Sequence, residues 1–116
     1  MRHRSNKLGF GRTPEYRKAL LRSLAAGLVL HEKIKTTEAR ARALRPYAER
    51  LVTLAKVDSV AGRRKAGRAL SHKSAVKKLF LVLGPKYRGR PGGYVRIRKA
   101  SPRAGDAGKQ AIISFV

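Results

Sequence analysis

The chain has 116 residues, the size of one small domain, and 42% of them are hydrophobic, which excludes a purely disordered basic tail. It has 29 Lys and Arg against 6 Asp and Glu, a formal net charge of +23, so we expect a polyanionic partner that offsets the repulsion. Cysteine is absent, which excludes disulfides and cysteine-ligated metals, and the longest apolar run, Leu24–Leu30, is too short to cross a membrane.

Residues 1–12 are basic, contain no acidic residue and show no apolar periodicity. Segments of this composition bury too little apolar surface to fold alone. We therefore predict a basic N-terminal extension over residues 1–12 that becomes ordered on a partner, followed by one domain over residues 13–116. A frayed terminus is the alternative. No secretory signal is evident, and we expect a cytoplasmic protein.

The first two predicted elements are a helix and a short strand. Thr13 to Glu15 combines a hydroxyl N-cap, a proline at the first helical position and an acid in the first turn. Apolar side chains then recur every four residues from Tyr16 to Leu28, which predicts a helix over residues 14–29. Residues 32–36 alternate between polar and apolar side chains and predict a strand.

A second helix is predicted to follow directly. Thr36-Thr37-Glu38 resembles a cap followed by a first-turn acid, and apolar side chains from Leu44 to Ala55 recur at helical spacing. Pro46 interrupts this pattern, so we predict a kink or a break there.

Two further helices are predicted before the chain changes character. A third helix runs from a cap at Asp58 or Ser59 to about Leu70, weakened by two glycines. A fourth spans Ser71 to Leu83, and Gly84-Pro85 is predicted to end it.

The remaining chain predicts two strands. Residues 86–93 form a basic loop rich in glycine and proline, residues 94–99 alternate, and residues 111–116 are mostly apolar. Two strands joined by a loop are expected to pair antiparallel. The order helix, strand, three helices, two strands predicts an α+β domain in which a small mixed sheet packs against helices.

The residues that could perform catalysis or hold a metal are scattered. The six acids are far apart in sequence, and His3, His31 and His72 lack the spacing of metal ligands. No phosphate-binding lysine motif occurs. We therefore expect no enzyme, no cofactor, no metal and no small-molecule substrate.

Cations, in contrast, occur in every predicted element. Between Ser59 and Gly105 there are fourteen basic residues and no acidic one. A single arginine is usually just a solvated surface residue, but such a set is typical of RNA binding through phosphate contacts and stacking. Tyr87 and Tyr94 either stack on bases or pack in the core. The residues predicted to bind RNA are Arg2, His3, Arg4, Lys7, Arg12, Arg17, Lys18, Arg22, Lys35, Arg40, Arg42, Arg45, Arg63, Arg64, Lys86, Arg88, Arg90, Tyr94, Arg96 and Arg98.

A family resemblance extends along essentially the whole chain. It is carried, in order, by Met1-Arg2-His3, by HEKIKTT over residues 31–37, by Leu44-Arg45-Pro46, by GPKY over residues 84–87 and by RPGGYVRI over residues 90–97. On these strings the chain resembles the family of bacterial large-subunit ribosomal protein number seventeen. The resemblance implies a structural, rRNA-binding component of the large subunit near the outer end of the peptide exit tunnel, in contact with neighbouring ribosomal proteins.

Two other classes share part of the same pattern. A DNA-compacting nucleoid protein would show the same charge excess. A cationic membrane-active protein is suggested by the leucines of the first helix opposite Arg17, Lys18 and Arg22. The apolar patterning of the other elements favours a packed core, and we expect no membrane insertion.

Overall fold

The computed structural model describes residues 14–102, 104–105 and 108–116, so the predicted extension over residues 1–12 lies outside the described residues. The predicted order of elements and the α+β class are confirmed. The fourth helix continues into a π-helical segment and a last short helical turn. The elements are α1 (Pro14–His31), β1 (Lys33–Thr37), α2 (Glu38–Ala55), α3 (Val60–Leu70), α4 (Lys73–Lys78), the π-helical segment (Leu79–Leu83), α5 (Gly84–Lys86), β2 (Val95–Ala100) and β3 (Gln110–Phe115).

Two helices begin at the hydroxyl caps that the sequence indicated. The Thr37 side chain accepts a hydrogen bond from the backbone N–H of Arg40 at 3.3 Å, and α2 starts at the next residue. The Ser59 side chain accepts from the N–H of Gly62 at 3.0 Å and starts α3. Each cap satisfies a backbone donor that has no partner within its helix.

Of the kink or break predicted at Pro46, the break is wrong, because α2 continues through Pro46 to Ala55. Buried side chains lie on both sides of the proline, among them Leu44, Ala48 and Leu51. Packing of this continuous apolar face stabilises the helix by more than the one missing hydrogen bond destabilises it.

The predicted helix end at Gly84-Pro85 is also wrong, because helical structure continues to Lys86. Gly84 has an ordinary helical φ of −56° and lies against the last turn of α2. A Cβ atom added there would lie 2.2 Å from the carbonyl oxygen of Ala55. Glycine at this position therefore permits close contact between two helices rather than ending one.

The sheet has the strand order β1-β3-β2, and both pairings are antiparallel. The expectation of a mixed sheet is therefore wrong. Strands β1 and β2 run in the same direction, but β3 lies between them and separates them, so no parallel pair forms. Helix α2 packs on one face of this sheet, and among the described residues the cationic side chains of the other face are exposed.

The core lies between that sheet face and the helices. Strands contribute Val95 and Ile113, both nearly inaccessible, while Ile34 and Ile97 pack at its edge. The helices contribute Leu51 and Phe80, which are also buried. None of the helices formed by the described residues is long and apolar enough to cross a membrane.

A side chain from another helix caps the C-terminal end of α1. Glu32 follows the helix in the left-handed region, with φ of 63°, a conformation that L residues other than asparagine and aspartate seldom adopt. Lys78 Nζ donates to the carbonyl oxygen of Leu30 at 2.9 Å and lies 3.0 Å from the Glu32 carboxylate. One lysine of α4 thus satisfies an end carbonyl of α1 and holds the turn into β1.

We expect Lys78→Met to lower the free energy of unfolding by about 1–2 kcal/mol, because it removes a charged hydrogen bond and leaves a helix-end carbonyl unpaired while keeping the side chain's length. Lys77→Met is the matched control, since Lys77 is exposed. Urea unfolding measures both. Equal midpoints for the two variants would contradict the capping role of Lys78.

Candidate nucleic-acid interface

The alternation of the strands places four cations on the outer face of the sheet. In the register, Lys33, Ser114 and Arg96 form one row across the three strands. Residues directly opposite each other in antiparallel strands share a face. The next row on this face contains Lys35, Ile112 and Arg98. We call the four cations Lys33, Lys35, Arg96 and Arg98 the sheet cations; all four are exposed.

The rows are spaced so that the sheet cations do not oppose one another directly. The neutral residues of the central strand, Ser114 and Ile112, lie between the lysines of β1 and the arginines of β2. Strand spacing separates the two edge strands by about 10 Å, and two residues along a strand cover about 7 Å. The four sheet cations therefore form one patch of positive charge on this face of the sheet. The same face carries no acidic residue among the paired strand positions.

A second group of cations lies on the first half of α1. The buried residues of α1 begin at Ala25, whereas most residues before it are exposed. Arg17, Lys18 and Arg22 belong to this outer half. The predicted apolar stripe is thus buried only towards its end, at Leu28, and Tyr16 remains 43% exposed. Leu21 and Leu24 still pack against the core, so we use the name basic projection only for the three cations of this half.

Acidic residues neutralise a few of the predicted RNA-binding arginines. Arg42 pairs with Glu38 at 2.5 Å, one helical turn away. Arg63 donates to both carboxylate oxygens of Asp58, at 2.7 and 3.0 Å, and lies over the Phe80 ring. The hydrogen bonds from Arg63 hold the pKa of Asp58 below its ordinary value. These two arginines are less available to phosphate than the unpaired ones.

Another acid anchors the sheet to the helices. Arginines lie near Glu49 in the sequence, but its carboxylate accepts a hydrogen bond from the backbone N–H of Val95 at 3.1 Å. This contact joins α2 to the start of β2. Together with the apolar contacts beneath, it positions the strand that carries Arg96 and Arg98.

The basic loop between α5 and β2 is fixed through its backbone while its cations stay exposed. Lys56 Nζ donates to the carbonyl oxygen of Arg90, and Arg90 Nε donates to the carbonyl oxygen of Gly92 at 3.2 Å. Lys86, Arg88 and Arg90 are all exposed. The loop therefore presents three cations from a backbone with several fixed points.

The tyrosines beside this loop are packed rather than free to stack on a base. Tyr94 is 2% exposed and Tyr87 is 3% exposed, and their ring centroids lie 5.3 Å apart. Tyr87 also packs against Phe115 and donates its hydroxyl to the carbonyl oxygen of Val116 at 2.5 Å. The core alternative is the one observed. With its ring packed in this way, Tyr94 offers no free ring face to a base, and its assignment to RNA binding stays a prediction.

The remaining predicted residues are spread over the molecule. Arg45 and Arg64 are exposed on α2 and α3, and Arg40 is partly buried near the start of α2. Lys33 was missing from the prediction, although its spacing of two residues from Lys35 was the signal that could have found it. Five predicted residues lie outside the described residues, namely Arg2, His3, Arg4, Lys7 and Arg12. Within the described ranges, no group of three His, Asp, Glu or Cys residues could hold a metal ion.

Both a family model and a known protein match most or all of this chain. A family model described as ribosomal protein L17 matches residues 20–116, which include the sheet and every helix except the start of α1. The chain is also similar to the large ribosomal subunit protein bL17 of Hydrogenobaculum sp. (strain Y04AAS1). The two are 53% identical over 117 residues, which cover 100% of this chain and 99% of that protein.

Proposed function

Since this chain belongs to the ribosomal protein L17 family, we propose that it binds folded large-subunit rRNA as a structural component of the large ribosomal subunit. Its place is in the ribosome of the cytoplasm. Proteins of this family are structural, and we propose no catalytic role for the chain.

The main support for RNA binding is the position of the sheet cations. Four exposed cations lie on one open sheet face without an acidic residue among them, while the opposite face of the same sheet is buried against α2. A packed domain thus orients positive charge towards one side. Phosphate contacts of this kind supply affinity and fix orientation, whereas they carry little sequence information.

The basic projection on α1 and the loop from Lys86 to Arg90 extend this surface to other sides of the domain. Cations on several sides suit a protein enclosed by folded RNA better than one that inserts a single helix into a groove. In this proposal the N-terminal residues 1–12 add further phosphate contacts to those of the domain. The resemblance supports a position near the outer end of the peptide exit tunnel, beside other ribosomal proteins.

A salt titration tests the proposed RNA binding. The affinity of the full chain for a large-subunit rRNA fragment is expected to fall steeply, with a slope of about −0.7 to −0.9 in log K against log salt for each phosphate neutralised. Filter binding or fluorescence anisotropy at about 50 to 500 mM salt measures this slope. An affinity independent of salt would refute RNA binding through phosphates.

The ribosomal role needs a separate measurement in cells. The endogenous protein is expected to co-sediment stoichiometrically with large subunits after a high-salt wash. Equal affinity for duplex DNA and rRNA fragments, combined with absence from washed subunits, would instead favour a nucleoid protein.

A further inference from the structure

A groove with an aliphatic floor runs between α3 and α4 and continues along the π-helical segment. Its volume is about 590 Å³. We call it the α3–α4 groove, and the residues that matter for its chemistry are Arg63, Gly67, Lys73, Val76, Lys77 and Leu81. None of the sheet cations lines it. Among the described residues predicted to bind RNA, only Arg63 lines the groove, so the groove is largely separate from the surface proposed to bind RNA.

The apolar residues of this region lie where a solvated helix normally carries polar ones. In the π-helical segment, Leu79, Phe80 and Leu83 face the core, whereas Leu81 is 56% exposed and Val82 is 47% exposed. Single aliphatic residues on a surface are common. Here, however, Leu81 lies in a concave groove together with Val76, in a chain of which 30% is charged. Concave apolar surface next to polar residues is typical of an interaction site.

The cations that border the floor differ in how much charge they offer. Arg63 is already paired with Asp58. Lys73 and Lys77 are exposed, and no acidic residue lies among the residues that line the groove. The groove therefore combines a neutral aliphatic floor with two available ammonium groups on the α4 side.

We propose that the α3–α4 groove docks a segment of another large-subunit protein, one that has apolar side chains for the floor and Asp or Glu beside them for Lys73 and Lys77. This inference rests on the proposed ribosomal function. Burial of Leu81 and Val76 supplies the hydrophobic contribution, and the lysines favour an acidic segment over a basic one.

The same observations disfavour two other occupants. A polynucleotide presents phosphates and aromatic bases, whereas the floor of the groove is aliphatic and the one arginine that lines it, Arg63, is already paired with Asp58. A second copy of this chain carries a net charge of +23 and is repelled by the first. A protein segment of opposite charge has neither disadvantage.

Photo-crosslinking in assembled subunits tests the proposal. The full chain carrying p-benzoylphenylalanine in place of Leu81 is incorporated into large subunits in cells, the washed particles are irradiated, and the adduct is mapped by peptide mass spectrometry. The expected result is an adduct to one defined protein segment that contains apolar residues with Asp or Glu within about one helical turn. A second chain with p-benzoylphenylalanine in place of Ile112, beside the sheet cations, is expected to yield an rRNA adduct.

Each other outcome has a definite meaning. An rRNA adduct at Leu81, an adduct to a second copy, an adduct to a segment without acidic residues, or no adduct in particles that contain the chain would each overturn the groove assignment. If the chain is absent from washed subunits, or if the Ile112 position gives no rRNA adduct, the proposed function itself fails.

A charge placed in the groove supplies an independent check. With the crosslinker in place of His72, which also lines the groove, Leu81→Asp is expected to reduce the protein adduct about tenfold, because it repels an acidic segment and buries a carboxylate against apolar groups. Val57→Asp is the matched control, since Val57 is 69% exposed and lies outside the groove lining. Equal loss of adduct in both variants would overturn the proposal. Circular dichroism confirms that each variant is folded.

Discussion

Replacing all four sheet cations by glutamine, in the variant K33Q/K35Q/R96Q/R98Q, is expected to weaken binding to an rRNA fragment a hundredfold to a thousandfold at about 0.1 M salt. Each cation that contacts a phosphate releases condensed counterions and adds about 0.7 to 0.9 to the salt slope. Losing four such contacts should therefore make the slope shallower by roughly three units. The affinity and the slope are measured together by salt titration.

A matched variant separates the effect of position from that of total charge. R50Q/K65Q/R68Q/K99Q removes the same number of lysines and arginines, all exposed, from places outside the predicted RNA-binding set. It is expected to change the slope by less than one unit, the change that one lost phosphate contact would give. Equal losses in the two variants would mean that the chain binds RNA through its net charge and not through the sheet face.

The sheet variant should remain folded, so that its loss of affinity can be attributed to binding. The sheet cations are exposed, and the ion pairs found within the described residues involve Arg42, Arg63 and Lys78 instead. Removing like charges from one face also reduces repulsion within the domain. An unfolded variant would show that these side chains support the sheet itself.

Local patterns in the sequence were enough to predict most elements and much of the interface. The hydroxyl caps at Thr37 and Ser59 were visible because they act on backbone donors two or three residues away. The alternation around Lys35 and around Arg96 and Arg98 indicated which strand residues face solvent. These features depend on residues that are close together in the sequence, so the sequence alone is enough to predict them.

Other features depend on contacts between distant parts of the chain, and the sequence alone did not reveal them. Tyr94 lies two residues before Arg96, a spacing that predicts the same face of a strand. In the structure, however, Tyr94 precedes β2 and packs against Tyr87 in the core. Glu49 lies among arginines in sequence but accepts a hydrogen bond from Val95, which is distant in sequence. The antiparallel sheet depended on β3 lying between β1 and β2, which no local pattern encodes.

The two helical glycines show most clearly what the sequence alone does not predict, because the role of a glycine depends on which atoms of the fold lie beside it. The sequence suggested that Gly84 ends a helix and that Gly67 merely weakens one. In the structure Gly84 is helical and faces the carbonyl oxygen of Ala55, whereas a Cβ at Gly67 would meet nothing within 4 Å. The two positions are both helical, so their conformations tolerate alanine equally well.

One substitution at these two positions is therefore expected to have opposite effects on stability. Gly84→Ala places a Cβ atom 2.2 Å from a backbone oxygen, so α2 and the end of the π-helical segment must separate. Overpacking of this kind costs about 3 kcal/mol, which corresponds to a fall in Tm on the order of 12 °C for a domain of this size. Gly67→Ala keeps the helix, reduces the entropy of the unfolded chain and is expected to stabilise by about 0.5–1 kcal/mol.

Thermal unfolding of the two variants beside the unsubstituted chain measures this difference directly. The variants differ from it by one methyl group each, in helices that pack on the same core, so the sign of the change depends on the neighbouring atoms alone. A fall in Tm of similar size at both positions would mean that glycine is needed for backbone conformation, and that the close contact between Gly84 and Ala55 does not determine how these helices pack.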